Sequence, residues 1–408
     1  MAGAGIVIVG AGEAGARTAL ALRGEGYDGA LTLIGAEAHA PYERPPLSKA
    51  ALLSGNAPPI IASAADLAAK GVEFLAGAQV AEIERAERRL RLADGRAVDY
   101  RKLVLATGAR PRRLAIPGAE IGLMLRSVED AQALHARLGS GGRVTIVGAG
   151  FIGLELAAAA RALGAAVDVV EAAPRALGRA VPERLARIIA ERHRGEGVEL
   201  SVGVGVAGLA REAAGDVVLL DDGRRIVANV IVVGVGAIPE TELAARAGLA
   251  IDNGIAVDGR LRASDPDIFA LGDCASFPHP LFGGRRIRLE AWRNAVDQAA
   301  FLAKGLLGAE DDYRAVPWFW SDQYDLCLQI AGLPDLGATT IERDLGGGAV
   351  MLFHCAADGR LVGASAVGPL AKVGREVRLA EMLIAAEASP AAEALASPVV
   401  KLKSLLPR

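Results

Sequence analysis

The chain has 408 residues, of which 52% are hydrophobic and 23% are charged, and its formal net charge is −3. This length is enough for two or three domains, and the small negative charge argues against nucleic acid or an anionic membrane as the main partner. No apolar run reaches the roughly 18 residues of a membrane span, and Glu13 and Arg17 interrupt the apolar N-terminus, which is therefore not a signal peptide.

The first predicted elements are an apolar strand over residues 6–9, a glycine-rich turn and an Ala/Leu-rich helix. The turn reads Gly10-Ala11-Gly12-Glu13-Ala14-Gly15. Glycines at these positions let the backbone approach a pyrophosphate, and the start of the helix offers N–H groups and a positive dipole end. A second strand over residues 31–34 completes a βαβ unit. Asp94-Gly95 then predicts a hairpin between strands at 89–92 and around Val98.

A strand over residues 102–106 ends at Thr107-Gly108. The segment 110–113 interrupts the alternation of strands and helices, and we interpret it as a crossover between two domains. The second glycine-rich turn follows a strand at 144–147 and reads Gly148-Ala149-Gly150-Phe151-Ile152-Gly153. One such turn is weak evidence, because glycine-rich turns also occur for steric reasons. Two of them predict an enzyme that binds two dinucleotides, usually a flavin and a nicotinamide.

The remaining elements complete an α/β pattern with parallel sheets up to about residue 315. Asp221-Asp222-Gly223 predicts another hairpin, and a strand at 230–233 ends in a turn that includes Gly236. A strand at 268–271 ends at Gly272-Asp273. Beyond Pro317 aromatic residues cluster and single-strand patterns dominate, which predicts a separate α+β domain.

Three cysteines, Cys274, Cys327 and Cys355, lie far apart and form no CxxC motif. This spacing indicates a reducing compartment without a disulfide framework, so we expect a cytoplasmic protein. The five histidines show no spacing typical of a zinc site or a catalytic triad. We therefore expect no metal and no acid–base chemistry on a substrate.

Five longer strings are more specific than the glycines. They are PYERPPLSK at 41–49, ATG at 106–108, GAGFIGLE at 148–155, ALGD at 270–273 and PWFWSDQ at 317–323. Through them the chain resembles, over nearly its whole length, the FAD-dependent ferredoxin reductases of the oxygenase-coupled type, the family of putidaredoxin reductase and biphenyl dioxygenase reductase. The resemblance implies two Rossmann-like dinucleotide-binding domains of glutathione-reductase-like fold plus a C-terminal α+β domain. The implied domains are a split FAD domain at 1–110 and 239–316, an inserted NAD domain at 111–238, and the C-terminal domain at 317–408.

The resemblance also implies which residues bind FAD. They are Gly10, Gly12, Ala14, Gly15, Glu37, Arg44, Lys49, Val80, Ala106, Thr107, Gly108, Arg126, Gly272, Asp273, Trp292 and Trp320. The family often has its ribose-binding acid at the position of Ala36, so we expect Glu37 to serve from the next position. A solvated loop charge remains the alternative for Glu37, and core packing remains the alternative for each tryptophan.

The second glycine turn is expected to bind NADH. The implied residues are Gly148, Gly150, Phe151, Ile152, Gly153, Glu155, Glu171, Arg179 and Gly236. Glu171 ends the next strand, where a carboxylate accepts hydrogen bonds from ribose hydroxyls and disfavours the 2′-phosphate of NADPH. Arg175 or Arg179 could tolerate that phosphate instead. Glu155 is implied to face Lys49 as a catalytic pair where nicotinamide docks; the alternative is a role in capping its helix.

The implied reaction passes electrons from NADH through FAD to a [2Fe-2S] ferredoxin that serves a cytochrome P450 or a Rieske oxygenase. Arg285, Arg286, Arg288 and Arg293 form the densest basic segment and are predicted to bind this transient partner; an ordinary solvated run is the alternative. Monomer and weak homodimer both remain open. Three other functions also remain open: an NADH:rubredoxin or nitrite-reductase-type donor, an NADH oxidase or peroxidase, and an interaction flavoprotein like apoptosis-inducing factor. The peroxidase is disfavoured because no cysteine lies in the segment 45–49.

Overall fold

The structure is a computed structural model that describes residues 5–139, 141–213 and 215–407. The strands, in chain order, are β1 (Gly5–Val9), β2 (Leu31–Ile34), β3 (Val72–Leu75), β4 (Val80–Glu84), β5 (Arg89–Leu92), β6 (Ala97–Leu105), β7 (Ala109–Pro111), β8 (Arg143–Val147), β9 (Ala166–Glu171), β10 (Val198–Val202), β11 (Val206–Glu212), β12 (Gly215–Leu220), β13 (Arg225–Ala228), β14 (Val230–Val233), β15 (Ala237–Pro239), β16 (Ile255–Ala256), β17 (Ile268–Ala270), β18 (Ala275–His279), β19 (Arg285–Ile287), β20 (Trp318–Gln323), β21 (Leu326–Gly332), β22 (Thr339–Gly346), β23 (Ala349–Cys355) and β24 (Leu361–Gly368). The α-helices are α1 (Glu13–Gly24), α2 (Ala50–Ser54), α3 (Ala64–Ala69), α4 (Val128–Leu138), α5 (Phe151–Ala162), α6 (Glu183–Gly195), α7 (Glu242–Arg246), α8 (Trp292–Leu306), α9 (Leu370–Ala385) and α10 (Ala392–Ala396).

The chain forms two compact units. The first consists of Met1–Glu43, Pro59–Arg110 and Ile238–Pro317, and the second of Arg44–Pro58, Pro111–Ala237 and Trp318–Arg408. The second unit combines the predicted NAD and C-terminal domains with residues 44–58 of the predicted FAD domain. The four-segment domain division itself stays a prediction, and residues 1–4 and 408 at its ends lie outside the described part of the chain.

The first unit is built on a sheet in the order β3-β2-β1-β6-β5-β4, with β17 also paired to β6. The strands β3, β2, β1, β6 and β17 run parallel, and β1, β2 and β17 are buried throughout. Burial of a strand on both faces favours continuous runs of β-branched and leucine residues, as in β1 and β2. Helix α1 packs against α8, and its alanines allow the close approach.

The second unit contains a parallel sheet in the order β10-β9-β8-β14, a three-stranded antiparallel sheet β11-β12-β13, and a five-stranded antiparallel sheet β20-β21-β24-β23-β22. Helix α9 packs on β21 and β24. One apolar core includes residues of the parallel sheet and of the five-stranded sheet, for example Val144, Val169, Leu328 and Leu352. The unit therefore folds around a shared core.

The predicted strands at 6–9, 31–34, 144–147, 230–233 and 268–271 are present to within one residue, and both glycine turns lead into helices. The prediction of an α/β fold with a C-terminal α+β segment is confirmed. The hairpins predicted at Asp94-Gly95 and at Asp221-Asp222-Gly223 are confirmed as β5–β6 and β12–β13. These strands pair antiparallel because tight turns, with Gly95 and Gly223 at positive φ, join them as hairpins.

Candidate functional site

The first glycine turn has a different steric requirement at each glycine. Gly10 has a φ of +107°, and a Cβ there would lie 2.1 Å from the Ala106 carbonyl oxygen. A Cβ at Gly15 would lie 1.8 Å from the Gly10 oxygen, so this glycine allows α1 to pack against the turn. A Cβ at Gly12 would meet no protein atom within 4 Å. Two glycines are therefore needed for packing, and the middle one faces open space.

The second turn repeats this geometry. Gly148 has a φ of +108° and its Cβ would lie 2.4 Å from the Gly234 oxygen, while a Cβ at Gly153 would lie 2.0 Å from the Gly148 oxygen. Gly150 again has nothing within 4 Å. The open space beside the middle glycine is where a pyrophosphate would approach the backbone.

The helix starts at both turns are left uncapped by side chains. Gly12 and Gly150 are the N-cap residues of α1 and α5, and neither can supply a capping side chain. By contrast, α3 and α4 each begin with a complete capping box, formed by Ser63 with Asp66 and by Ser127 with Asp130. The N–H groups at the two glycine turns are thus available for an anion. This chemistry fits a dinucleotide at each turn.

Further FAD candidates surround the first turn. Ala106 and Thr107 lie directly against Gly10, and Thr107 donates its hydroxyl to the Glu240 carbonyl oxygen at 2.6 Å. Gly108 and Gly272 have φ values of +72° and +74°. A Cβ at Gly272 would lie 3.0 Å from the Cβ of Ala14, so the segment with Gly272 and Asp273 is in contact with the same turn. These predicted residues are brought together.

Glu37 is partly buried, while Ala36 beside it is exposed. The Tyr42 hydroxyl donates to the Glu37 carboxylate at 2.5 Å, and Gly77 donates its N–H to the Glu37 carbonyl oxygen at 2.9 Å. The side chain is therefore held in one orientation rather than left as a solvated loop charge. Its binding of the FAD ribose stays a prediction.

Trp292 is the first residue of α8, which packs against α1, the helix that begins at Glu13. Burial raises the pKa of Glu13, while Arg17, through a 2.8 Å ion pair, and Trp292 oppose this rise. Trp292 therefore lies near the predicted FAD turn, and its contact with FAD stays a prediction. Val80 lies in β4, opposite Leu92.

The other predicted FAD residues, Arg44, Lys49, Arg126 and Trp320, belong to the second unit. Arg44 donates to the Arg126 carbonyl oxygen at 2.6 Å, so these two predicted FAD residues are adjacent. Trp320 stacks on Trp318 with 5.3 Å between ring centroids, and its indole N–H donates to Asp322 at 3.1 Å. Pro45–Ser48 forms a 3₁₀ turn that leads directly to Lys49.

At the second turn, the Glu171 carboxylate accepts hydrogen bonds from the N–H groups of Ala149 and Ala173, both at 2.8 Å. This places an acid at the end of β9 and against the turn, as predicted. Arg175 donates to carbonyl oxygens of its own loop, Val181 and Gly178, both at 3.0 Å. Arg179 is exposed and lies 3.3 Å from the position of a Cβ on Gly236. Of the two arginines proposed to accept a 2′-phosphate, Arg179 is therefore better placed.

Phe151 and Ile152 begin α5. The Phe151 ring lies against Phe319, with 4.3 Å between centroids, while Ile152 is exposed. Phe151 is thus fixed by packing, and Ile152 offers an apolar side chain at the turn.

Glu155 lies at the centre of a buried polar cluster. Its side chain is 3% exposed, and Oε2 accepts from Lys49 Nζ at 2.6 Å and from the Ser48 hydroxyl at 2.5 Å. Oε1 accepts from the Ser321 hydroxyl at 2.6 Å. The capping alternative for Glu155 is wrong, because these donors all come from side chains outside α5. The contact between Lys49 and Glu155 is present; its catalytic role stays a prediction.

Ser48 and Ser321 were missed by sequence reasoning. Both lie within the quoted strings, PYERPPLSK and PWFWSDQ, next to the predicted FAD residues Lys49 and Trp320. A serine carries no sequence signal for burial. Only the fold shows that these two hydroxyls are directed at one carboxylate.

Several arginines of the predicted basic segment are bonded within the protein, so less of their positive charge is available to a partner than the composition indicates. Arg286 donates to the carbonyl oxygens of Ser276 and Val257. Arg288 pairs with Glu290 at 2.7 Å and is only 12% exposed, and Arg293 pairs with Asp297 at 2.9 Å. Arg285 is exposed on β19. Much of the positive charge of Arg286, Arg288 and Arg293 is offset locally, and the partner role of the four arginines stays a prediction.

The cysteines are all buried and unpaired as disulfides. Burial raises the pKa of each thiol, that of Cys327 to about 12. Protonated, buried thiols are poor nucleophiles. Within residues 5–139, 141–213 and 215–407, no helix is long and apolar enough to cross a membrane.

Comparison with known proteins agrees with this site. The pyridine nucleotide-disulphide oxidoreductase family model matches residues 4–299, and the reductase C-terminal model matches residues 318–406. The chain is 44% identical over 405 residues to the anthranilate 1,2-dioxygenase system ferredoxin–NAD(+) reductase component of Burkholderia cepacia, covering 98% of each protein.

Two solved structures are similar over almost the whole chain. The ferredoxin reductase for the CYP199A2 system from Rhodopseudomonas palustris has a TM-score of 0.93 at 39% identity, with 98% of each chain covered. The putidaredoxin reductase in its covalent complex with putidaredoxin has a TM-score of 0.93 at 34% identity, covering 99% of this chain and 98% of that one. The chain therefore belongs to the pyridine nucleotide-disulphide oxidoreductase family, in its ferredoxin–NAD(+) reductase group, and is an FAD-dependent oxidoreductase that uses NADH.

Proposed function

We propose that this protein passes electrons from NADH through FAD to a [2Fe-2S] ferredoxin that serves a cytochrome P450 or a Rieske oxygenase. The observation that carries the proposal is the pair of matched glycine turns, each with an open middle glycine and an uncapped helix start. Relatives whose names specify ferredoxin reduction in oxygenase systems support the acceptor.

When bound, FAD supplies the redox chemistry by accepting a hydride equivalent from NADH and giving up two electrons singly. The residues of this chain bind and orient. The N–H groups at the Gly12 and Gly150 turns would hold the two pyrophosphates, Glu171 would accept from the NADH ribose, and the Lys49–Glu155 pair would lie beside the nicotinamide.

The buried cysteines support electron transfer rather than thiol chemistry. The segment of Lys49 contains no cysteine, and the three thiols of the chain are protonated and inaccessible. A peroxidase or disulfide reductase of the same fold needs a reactive thiol next to the flavin. The hydride would be accepted by the flavin, and the segment 45–49 lacks the cysteine that such a second step requires.

A transient ferredoxin complex requires a small, partly charged surface, and the exposed Arg285 and Arg286 on β19 are candidates for it. We further propose that the protein works in the cytoplasm, without nucleic acid or membrane as a partner, as a monomer or weak homodimer. Its near-neutral net charge and reduced cysteines support this environment.

The test is NADH-driven reduction of a panel of purified acceptors by the FAD-loaded protein. The panel contains [2Fe-2S] ferredoxins, a rubredoxin, molecular oxygen and a dye as a positive control. We expect a non-covalently bound yellow flavin and fastest turnover with one of the ferredoxins. Fastest turnover with rubredoxin or oxygen would contradict the proposed acceptor. A slow, persistent flavin–NAD charge-transfer complex would instead support an interaction protein.

A further inference from the structure

A chain of buried polar side chains leads from helix α6 to Glu155. His193 Nε2 lies 2.8 Å from Gln323 Oε1, Gln323 Nε2 lies 3.0 Å from Ser321 Oγ, and Ser321 Oγ lies 2.6 Å from Glu155 Oε1. His193, Ser321, Gln323 and Glu155 are all buried. The chain joins α6, β20 and α5 within the second unit.

The direction of each hydrogen bond follows from the carboxylate at its end. Glu155, paired with Lys49, can only accept, so the Ser321 hydroxyl donates to it and accepts from the Gln323 amide N–H. The Gln323 carbonyl oxygen then faces His193. Because this oxygen can only accept, His193 must carry its proton on Nε2. Burial lowers the pKa of His193, which keeps the ring neutral, and Nδ1 accepts from the Tyr324 hydroxyl at 3.3 Å. Every donor in the chain points towards Glu155.

The two oxygens of Glu155 are held by different parts of the unit. Oε1 is held by Ser321 and the chain behind it, whereas Oε2 is held by Lys49 and by Ser48, its neighbour in the loop. The Lys49 side chain is 26% exposed, against 3% for Glu155. A second contact of Lys49 Nζ is a long one, 3.4 Å from the Pro45 carbonyl oxygen. Lys49 is therefore partly open to solvent, whereas Glu155 is enclosed.

We propose that Ser321, held by Gln323 and His193, is a positioning residue that keeps Glu155 fixed, so that the Lys49–Glu155 pair opens for nicotinamide by movement of Lys49 alone. The inference rests on the proposed function, because it assumes that NADH enters at this pair. Ser48 cannot be the fixed anchor, since it is adjacent to Lys49 in the same turn. The C-terminal segment thereby sets the geometry of the nicotinamide site through one hydroxyl.

The first test compares Ser321→Ala with Ser48→Ala in stopped-flow reduction of the FAD-loaded protein by NADH. The two serines are matched, because both are buried and both donate to Glu155. We expect Ser321→Ala to lower the limiting rate of flavin reduction by about tenfold, the scale of one hydrogen bond to a charged group, with unchanged FAD content. Ser48→Ala should change that rate less.

The second test uses Gln323→Met, which keeps the size of the side chain but removes its donor. We expect it to slow reduction in the same direction, and the double variant with Ser321→Ala to be no slower than Ser321→Ala alone, because both changes break one chain. The inference would be overturned if the two substitutions slow flavin reduction additively and also lower the melting temperature and the FAD content. That result would indicate a merely structural role for Ser321 and Gln323.

The third test is a crystal structure of the FAD-loaded protein with NAD⁺. We expect Glu155 to remain within hydrogen-bond distance of Ser321 while Lys49 has moved. A Glu155 side chain that has left Ser321, or wild-type reduction kinetics in Ser321→Ala, would overturn the inference and leave the proposed function intact. A wild-type flavin that NADH does not reduce would instead overturn the proposed function itself.

Discussion

Glu171 is expected to decide the choice between NADH and NADPH. Its carboxylate is fixed at the end of β9 by two backbone N–H groups, each at 2.8 Å, and so cannot turn away from a ligand at the second glycine turn. The 2′-phosphate of NADPH would bring negative charge close to it. Two unit charges about 5 Å apart interact by about 3 kcal/mol at an effective dielectric of 20.

Glu171 is partly exposed, so solvent screening reduces this repulsion. We therefore expect a preference for NADH of at least about tenfold in kcat/KM, which corresponds to about 1.4 kcal/mol. Glu171→Gln should reduce the preference to about threefold or less, because the amide keeps one acceptor for the loop but loses the charge. Dye reduction at several concentrations of each nucleotide measures both values.

Glu191→Gln is the matched control, since it removes an exposed carboxylate from α6 of the same unit. It should leave the ratio unchanged. A wild-type protein that prefers NADPH would refute the reasoning and assign control of the site to Arg179. An unchanged ratio in Glu171→Gln would show that the carboxylate does not face the ribose.

Gly150→Val should abolish reduction by NADH while FAD stays bound, and Gly12→Val should lose FAD, because each new side chain fills a space that is open in the protein. Flavin absorbance and dye turnover distinguish the two effects. Loss of folding in either variant, measured by circular dichroism, would contradict this steric reasoning. Ferredoxin reduction should slow as ionic strength rises past about 0.1 M, where the screening length is about 10 Å, while dye reduction changes little. Arg285→Glu should raise the ferredoxin KM without affecting flavin reduction, and a salt-independent rate would favour an apolar docking surface instead. Burial lowers the pKa of His354 to about 4, below its value of about 6.5 in the unfolded chain. Between these two pKa values the unfolded state binds more protons than the folded state. The free energy of unfolding should therefore fall as the pH drops from 7 towards 4, by up to about 3 kcal/mol. Urea unfolding of His354→Gln should show a shallower pH dependence than wild type, and equal slopes would contradict the assignment.

The parts of the fold with strong local signals were predictable. The β-branched strands before both turns, the glycines themselves and the Asp-Gly hairpins appear as expected, because each depends on a few neighbouring residues. The antiparallel strands that extend these hairpins, β4 beside β5 and β11 beside β12, were not predicted. Their pairing depends on how a further strand attaches to the edge of a hairpin, and local periodicity does not report this.

The site was predictable where a known motif covers it and not where distant side chains meet. Glu155 and Lys49 were paired from the resemblance, and the structure has them in contact. Ser48 and Ser321 were not paired with Glu155, because these two donors and that carboxylate belong to three separate chain segments that only the fold brings together. Likewise, nothing in the run of arginines shows that Arg286 and Arg288 are bonded to backbone carbonyls and to an acid.

The apolar core shared by the parallel sheet and the five-stranded sheet limits how this reductase can be re-engineered. Exchanging the C-terminal segment with that of a relative, in order to change its electron acceptor, would replace one side of that core together with Ser321 and Gln323. A chimera that joins foreign sequence after Pro317 must therefore keep the apolar face of β21 and the polar pair of β20. Without them the graft would alter the hydride-accepting end of the enzyme as well as its partner.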